Sequence, residues 1–316
     1  MQRDNSARIF RFMQDRETIL EEVANRVVRR KVRQANLSDE KSLEYLLNEA
    51  AYLEMQRLER GSSKLDLKPY EYWHDIARRI GKASEHEKTR ILRELVRAYA
   101  NDVAGRFTPE VYRFATSVLP VGLSMLFNAT SFDSLVRNFR HLSDRIIIEG
   151  ESATWRRLAE QGTLVVVPTH SSNLDSIVVG WALNEAGLPP VTYGAGKNLF
   201  TNPLTSFFMH NLGAYKVDRR IRHTIYKEVL KSYSEVLLER GYHSLFFPGG
   251  TRSRSNHIES DIKLGLLGTA LTAYTSNLLN HRPDPKVFIC PLTINYHLVL
   301  EAETLIADHL RTDGGA

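Results

Sequence analysis

The 316-residue chain has few of the features that stabilise secreted or membrane-spanning proteins. Its single cysteine, Cys290, excludes an intramolecular disulfide and fits a reducing compartment. The chain has no run of about 18 or more apolar residues, whereas a bilayer-spanning helix needs about 20, so we predict no transmembrane segment. The polar and charged start, Met1 to Arg16, predicts no secretory signal peptide.

Motifs of several common enzyme classes are also missing. No Gly-x-Ser-x-Gly sequence occurs, which excludes the nucleophile elbow of serine hydrolases. The eleven histidines show neither His-Glu-x-x-His nor Cys-His ligand spacing, so we predict no metal site. Gly196-Lys197 resembles a nucleotide loop, but Val191 replaces its first glycine and Asn198 its Ser or Thr.

The formal net charge of +5 favours anionic partners, which include phospholipid surfaces, nucleic acids and phosphorylated substrates. No helix-turn-helix, zinc-finger or RNA-binding signature accompanies it, so we predict no nucleic-acid partner. Val23 to Arg33 is basic and amphipathic. One interpretation is a helix that lies on anionic lipid or docks onto an acidic carrier protein. The other is a solvated helix with its valines in the core. Thr116 to Asn128 is apolar and fits an interfacial helix or a core helix.

Hydrophobic periodicity divides the chain into two parts. Apolar residues recur at helical spacing up to about residue 115, and strands alternate with helices after Phe132. We therefore predict an α/β fold with a mostly parallel central sheet flanked by helices, preceded by an all-helical N-terminal region over residues 1–115. The predicted strands are Arg145–Glu149, Thr163–Val167, Val191–Tyr193, Ser244–Phe247 and Val287–Ile294, and the predicted helices are Leu174–Ala186, Ile225–Arg240 and Leu264–Leu278.

His170 and Asp175 form the first candidate for chemistry. His170 follows a buried strand, and Asp175 falls in the first turn of the next helix, where the helix dipole favours a carboxylate. A carboxylate on one ring nitrogen would fix the tautomer and leave the other nitrogen as a base. Because no protein nucleophile accompanies the pair, it suits direct transfer to the hydroxyl of an acceptor. The alternative is a structural pair, with a capping histidine and a first-turn acid.

Three further blocks follow in order. In Gly213 to Arg220, basic residues follow a predicted strand. In Phe246 to Ser255, a buried strand is followed by a loop that contains glycines and arginines. Glycines let backbone amides approach an anion, and arginine forks bind phosphate oxygens. Ile289 to Ile294 is an apolar strand that contains Pro291.

These four blocks, together with their order and spacing, resemble the glycerolipid acyltransferase family over about Ile146 to Ile294. The spacing beyond Arg220 and the large helical N-terminal region resemble its glycerol-3-phosphate branch. The resemblance implies that residues 116–316 form an α/β acyltransferase domain, in which His170 is the general base and Asp175 orients it. The residues implied for the substrate site are Lys216, Arg219, Gly249, Gly250, Thr251, Arg252 and Pro291.

The resemblance also implies the reaction and its partners. The chain would transfer an acyl group from acyl-CoA or acyl-carrier protein, without a cofactor, to the sn-1 hydroxyl of glycerol 3-phosphate at the cytoplasmic face of a membrane. The family usually has Glu where Gly249 stands. This departure leaves lysophosphatidate and dihydroxyacetone phosphate as alternative acceptors, and a catalytically silent membrane-associated scaffold as an alternative of another class.

Overall fold

The computed structural model describes residues 8–37, 42–117, 146–172, 175–201, 203–250, 262 and 264–296. The helices are α1 (Phe12–Ala35), α2 (Leu43–Arg60), α3 (Tyr70–Arg79), α4 (Glu85–Val103), α5 (Ser152–Gln161), α6 (Asp175–Glu185), α7 (Pro203–Asn211), α8 (Thr224–Glu239) and α9 (Leu264–Leu279). Residues 109–117 are also helical, and 3-10 turns lie at Ile9–Arg11, Ile80–Lys82 and Lys197–Phe200. The strands are β1 (Gly162–Pro168), β2 (Thr192–Gly196), β3 (Ala214–Val217), β4 (Ser244–Leu245) and β5 (Lys286–Leu292).

Two of the N-terminal helices, α2 and α4, begin at serine caps. The Ser42 side chain accepts a hydrogen bond from the backbone N–H of Tyr45, and Ser84 does the same for Glu87. Ser84 and Glu87 have the sequence of a capping box, and each serine satisfies an N–H group that lacks a partner in the first turn. The predicted all-helical N-terminal region is confirmed.

The strands form a sheet in the order β3-β2-β4-β1-β5. β1 pairs in parallel with β4 and with β5, and β2 pairs in parallel with β3. The three consecutive valines of β1, Val165 to Val167, suit a strand that has neighbours on both sides. Pro291 lies within β5, opposite Val167, and the edge position of this strand tolerates a residue without a backbone N–H. The predicted α/β class with a parallel sheet is confirmed.

Two compact units make up the chain, and each is discontinuous in sequence. The first unit consists of Met1–Phe10, Thr108–Thr192 and Gly241–Ala316, and the second consists of Arg11–Phe107 and Tyr193–Arg240. The first unit contains β1, β4 and β5, with α5 and α9 packed against them. In the second, α1 packs against α4 and α8. The sequence predicts a domain boundary between residues 115 and 116. The compact units do not test this boundary, so it stays a prediction.

The basic segment Val23 to Arg33 lies in α1, and its valines belong to the core of the second unit. Val23 and Val27 are fully buried. Arg26 donates to both carboxylate oxygens of Glu239 at 2.7 Å. Two more cations of the segment reach glutamates of α8, with Arg30 bound to Glu235 and Lys31 near Glu228. The alternative with the valines in the core therefore describes this segment, although Arg26, Arg30 and Lys31 contact α8 instead of standing free in solvent.

One predicted strand is wrong, and two helices were not predicted. Within the described residues, 146–149 form no strand, and the Ile147 side chain is 76% exposed. An isoleucine run favours a strand only when a neighbouring strand covers it. The unpredicted helices are α5 and α7. Of the apolar segment Thr116 to Asn128, only the first two residues lie within the described part of the chain.

No helix among the described residues is both long enough and apolar enough to cross a membrane.

Candidate active site

The site is built where β1 ends and α6 begins, within the first unit. His170 comes two residues after the last residue of β1, and Asp175 is the first residue of α6. The Nδ1 atom of His170 lies 2.7 Å from the Oδ2 atom of Asp175. The predicted proximity of the imidazole and the carboxylate is therefore present in the fold.

The Asp175 carboxylate is fully buried and accepts four hydrogen bonds. Its Oδ2 atom accepts from His170 and from the backbone N–H groups of Ser171, at 2.7 Å, and Ser172, at 3.0 Å. Its Oδ1 atom accepts from the Tyr296 hydroxyl at 2.7 Å. Burial alone would raise the pKa of this carboxyl, but the hydrogen bonds outweigh burial and hold the pKa below its ordinary value.

This environment fixes the tautomer of His170. Because a buried carboxylate only accepts hydrogen bonds, Nδ1 carries a proton, and in the neutral imidazole the lone pair is then on Nε2. Among the described residues, none forms a hydrogen bond with Nε2 of His170. The side chain is 21% exposed, and the Phe247 ring stacks on the imidazole with 4.2 Å between ring centroids. The arrangement can remove a proton from a hydroxyl that approaches Nε2.

Neighbouring strands hold the loop that carries His170. The backbone N–H of Thr169 donates to the Leu292 carbonyl at 3.0 Å, and the Thr169 hydroxyl oxygen accepts from the N–H of Ile294 at 2.9 Å. On the other side, the N–H of Phe246 donates to the Val166 carbonyl at 2.9 Å. These bonds extend the pairing of β1 with β5 and β4 beyond the strand ends, so the imidazole stands on rigid elements.

Tyr296 contacts the candidate pair and was not predicted from the sequence. It lies 121 residues after Asp175, and its hydroxyl reaches the carboxylate oxygen that His170 leaves unused. A phenol beside a carboxylate belongs to no motif of the first block. The available signal was the polar Asn-Tyr-His sequence that directly follows an apolar strand, at the carboxyl end of a parallel sheet.

The glycine loop begins as a tight turn after β4. The N–H of Gly250 donates to the Phe247 carbonyl at 3.1 Å, and Gly250 has a positive φ of 71°. Glycine adopts that backbone conformation without steric cost, and Pro248 at the second turn position is also typical. Gly249 is the third residue of this turn. The predicted site residues Thr251 and Arg252 lie outside the described residues.

The other predicted substrate residues lie on β5 and in the second unit. Pro291 is the β5 residue that pairs with Val167, and Val167 is the residue that lies close to the His170 loop in sequence. In the second unit, Lys216 on β3 donates to Asp102 at 3.0 Å, and Arg219 is exposed just after β3.

Arg220, next to Arg219, is held by Asp218. Its guanidinium donates to both carboxylate oxygens, at 3.1 and 2.9 Å, and its backbone N–H donates to one of them. The turn that presents Arg219 is therefore fixed by its own neighbours.

A family comparison gives this geometry its context. Residues 146–295, just under half of the chain, match the model of the acyltransferase family. The matched segment includes the whole of the His170 loop, both glycines of the turn and β5. The family predicted from the four sequence blocks is confirmed.

Curated relatives of the chain are named glycerol-3-phosphate acyltransferase. Those from Ectopseudomonas mendocina and Pseudomonas paraeruginosa are 29% and 28% identical over 240 and 231 residues, which cover 74% and 72% of this chain. The alignments cover 26% and 25% of those relatives. One from Aeromonas hydrophila is 31% identical over 151 residues, 47% of this chain and 18% of the relative. The chain thus spans about a quarter of the length of the first two.

Proposed function

We propose that the chain transfers a fatty acyl group from a thioester donor to the sn-1 hydroxyl of glycerol 3-phosphate. The observation that carries the proposal is the His170–Asp175 pair, in which a buried carboxylate holds Nδ1 and Nε2 is left for a hydroxyl. The match of residues 146–295 to the acyltransferase family supports acyl transfer as the reaction, and the name of the relatives supports glycerol 3-phosphate as the acceptor.

The reaction follows from the protonation state of the pair. Nε2 of His170 takes the proton of the acceptor hydroxyl while the oxygen attacks the thioester carbonyl. The C–O bond forms, the tetrahedral intermediate collapses, the C–S bond breaks, and the departing thiolate takes the proton back from His170. Asp175 stabilises the imidazolium that exists between the two proton transfers. The products are an ester and a thiol.

The remaining site residues receive roles from the family resemblance. Arg219 and Arg252 would bind the phosphate of the acceptor, with Lys216 as a further cation of the substrate site. Gly250 and Thr251 would complete the acceptor site, and Pro291 would shape the wall near the acyl chain. Because the Gly250 N–H is used inside its own turn, we do not assign it to the oxyanion.

The donor and the location complete the proposal. Acyl-CoA and acyl-carrier protein both supply a thioester, and neither requires a cofactor in the protein. The apolar acyl chain of the donor and the apolar product favour catalysis at a membrane surface. We therefore propose that the protein is peripheral or monotopic on the cytoplasmic face. The single cysteine fits that reducing side.

Radiolabelled acyl transfer tests the proposal. Acyl-CoA and acyl-carrier protein are offered as donors with lipid vesicles, and glycerol 3-phosphate, dihydroxyacetone phosphate and lysophosphatidate as parallel acceptors. His170→Ala should lower the rate about 10²- to 10⁴-fold, because it removes the general base. His86→Ala, at an exposed position in the first turn of α4, is the matched control and should keep full activity.

The acceptor arms also test the alternatives. Gly249 stands where the family usually has a carboxylate, so preference for dihydroxyacetone phosphate or lysophosphatidate would move the assignment to that acceptor. Absence of transfer to every acceptor from both donors would contradict the proposal and favour the silent scaffold.

A further inference from the structure

The helix α9 presents large apolar side chains outward and small ones inward. It packs against β5. Its buried residues are small or polar, and they are Thr269, Ala270, Ala273 and Asn277. The side chains of Leu264 and Leu271 are 66% and 69% exposed, and those of Tyr274 and Leu278 are exposed as well. A surface helix of a soluble domain normally has the reverse arrangement, with polar residues toward water.

No charged side chain interrupts the outward face of α9. Residues 264–281 contain no Asp, Glu, Lys or Arg, and every exposed position of the helix is Leu, Tyr, Gly or Thr. A face that is meant for water usually carries charged residues. Leucines enter the boundary between lipid headgroups and acyl chains, and a tyrosine ring lies there with its hydroxyl toward water. The composition of this face therefore matches a membrane surface.

The spacing of the leucines allows a second occupant to be compared with lipid. Leu264, Leu271 and Leu278 recur every seven residues, which is also the spacing of a coiled-coil seam. Such a seam needs about three or four repeats, with charged residues beside it that select the partner. The helix α9 offers two repeats and no charge. Lipid therefore fits this face better than a helix of a second copy.

Basic residues lie where the apolar face ends. Arg282 and Lys286 follow α9 and are exposed, and neither forms an ion pair within the described part of the chain. Asp284 is the only acidic residue in the sequence between residues 264 and 296. Anionic phospholipid headgroups attract cations in this position, next to an inserted apolar segment. The charge at the end of α9 thus complements an anionic bilayer.

The direction of α9 connects its outward face with the proposed active site. Only residues 280–285 separate α9 from β5, so the helix and the strand against which it packs run in opposite directions. The first turn of α9 therefore lies toward the end of β5. At that end, the Leu292 carbonyl holds Thr169, next to His170. A bilayer along α9 would reach the edge of the sheet at which His170 lies.

We infer that the outward face of α9 docks the protein on a bilayer that contains anionic phospholipid. The leucines of this face enter the boundary between headgroups and acyl chains, with Tyr274 among the headgroups. Arg282 and Lys286 contact the lipid phosphates. The inference rests on the acyl transfer proposed at a membrane surface, and it adds the docking surface and the charge of the lipid.

Co-sedimentation of the full chain with vesicles, without acyl donor or acceptor, tests the inference. The vesicles contain phosphatidylcholine alone or phosphatidylcholine with phosphatidylglycerol. Leu271→Gln and Leu278→Gln should each weaken binding about tenfold, because each removes the apolar area of one leucine from the bilayer. Leu37→Gln, at an exposed leucine just after α1, is the matched control and should bind like the parent chain.

Lys286→Gln tests the charge separately from the apolar face. It should weaken binding about fivefold to vesicles that contain phosphatidylglycerol, and the difference should disappear at high salt. Binding to phosphatidylcholine alone should not change.

A cysteine label reports the contact directly. Cys290 is the only cysteine of the chain and is buried, so a cysteine introduced by Leu271→Cys can be labelled selectively with an environment-sensitive fluorophore. The emission of this label should shift to the blue when vesicles are added. The same label on Leu37→Cys should not respond.

The outcomes separate docking from catalysis. Weaker vesicle binding by the leucine variants supports the inference even if no acyl transfer is found. Acyl transfer together with unchanged vesicle binding by both leucine variants overturns the inference and leaves the proposed function intact. The inference is also overturned if the label on Leu271→Cys does not respond to vesicles. A dimer in sedimentation velocity that Leu271→Gln dissociates would overturn it as well, because a second copy would then cover the face.

Discussion

Asp175→Asn separates the charge of the proposed catalytic pair, His170 and Asp175, from its geometry. The amide oxygen of asparagine can accept the hydrogen bonds that Oδ2 now accepts from His170, Ser171 and Ser172. The amide nitrogen can donate to the hydroxyl oxygen of Tyr296, which now donates to Oδ1. The variant should therefore fold, with the imidazole in the same orientation and tautomer. What it lacks is the negative charge beside the imidazolium.

The size of the effect follows from the distance between the charges. An imidazolium and a carboxylate whose centres lie about 4 Å apart interact by about 4 kcal/mol at an effective dielectric constant near 20. If the imidazolium is nearly full in the transition state, its loss lowers kcat about 10³-fold. Binding of the acceptor involves no such charge, so KM should change little.

Steady-state acyl transfer and thermal unfolding of the same preparations provide the measurement. Asp175→Asn should keep its unfolding midpoint within a few degrees of the parent while kcat falls. Retention of kcat within about tenfold would refute the role of Asp175 as the partner of a base, because the Coulomb term is larger than that. If kcat falls only in proportion to the fraction of unfolded chain, the lost activity reflects unfolding. That result would refute the claim that the variant removes the charge while keeping the fold.

Three further perturbations test other parts of the structure. Tyr296→Phe should lower kcat about 3- to 10-fold in the same assay, because one of four hydrogen bonds to the carboxylate is lost. Burial lowers the pKa of His223 to about 3, so the unfolded chain binds its proton first. The free energy of unfolding should therefore fall by about 1.4 kcal/mol per pH unit between about pH 6 and 4, and His223→Asn should remove that share of the slope in denaturant titrations. In Gly105→Ala the new Cβ atom would lie 2.6 Å from a backbone carbonyl oxygen of β3, which should cost about 1–3 kcal/mol in chemical denaturation; Gly180→Ala, with open space around it, should cost nothing.

Sequence reasoning succeeded where the determining contacts are local. The predicted strand Thr163–Val167 is present as the centre of β1, and the helix Ile225–Arg240 corresponds to α8 within one residue at each end. A run of valines bounded by glycine and proline, and a long amphipathic repeat that ends near a glycine, each contain their own signal. His170 and Asp175 meet for the same reason, because five residues of one turn are enough to join them.

The failures share a dependence on distant residues. The isoleucines of residues 146–149 have the propensity of a strand, but no strand of the described chain pairs with them, so they stay exposed. The helix α7 begins at Pro203 and lacks a strong apolar period, so its packing on β3 rather than its sequence reveals it. The contact between Lys216 and Asp102 spans 114 positions and belongs to no motif.

The same division between local and distant contacts applies within the His170–Asp175 pair. The turn from β1 to α6 alone brings Nδ1 to a carboxylate, which is sufficient for a histidine that caps a structural loop. Chemistry requires in addition that the carboxylate stay ionised while buried, and local backbone N–H groups bind only Oδ2. The second oxygen depends on Tyr296, contributed by the chain beyond β5. In the proposed mechanism the phenol therefore helps to keep Asp175 ionised, so its removal should raise the pKa of Asp175 even where the fold is unchanged.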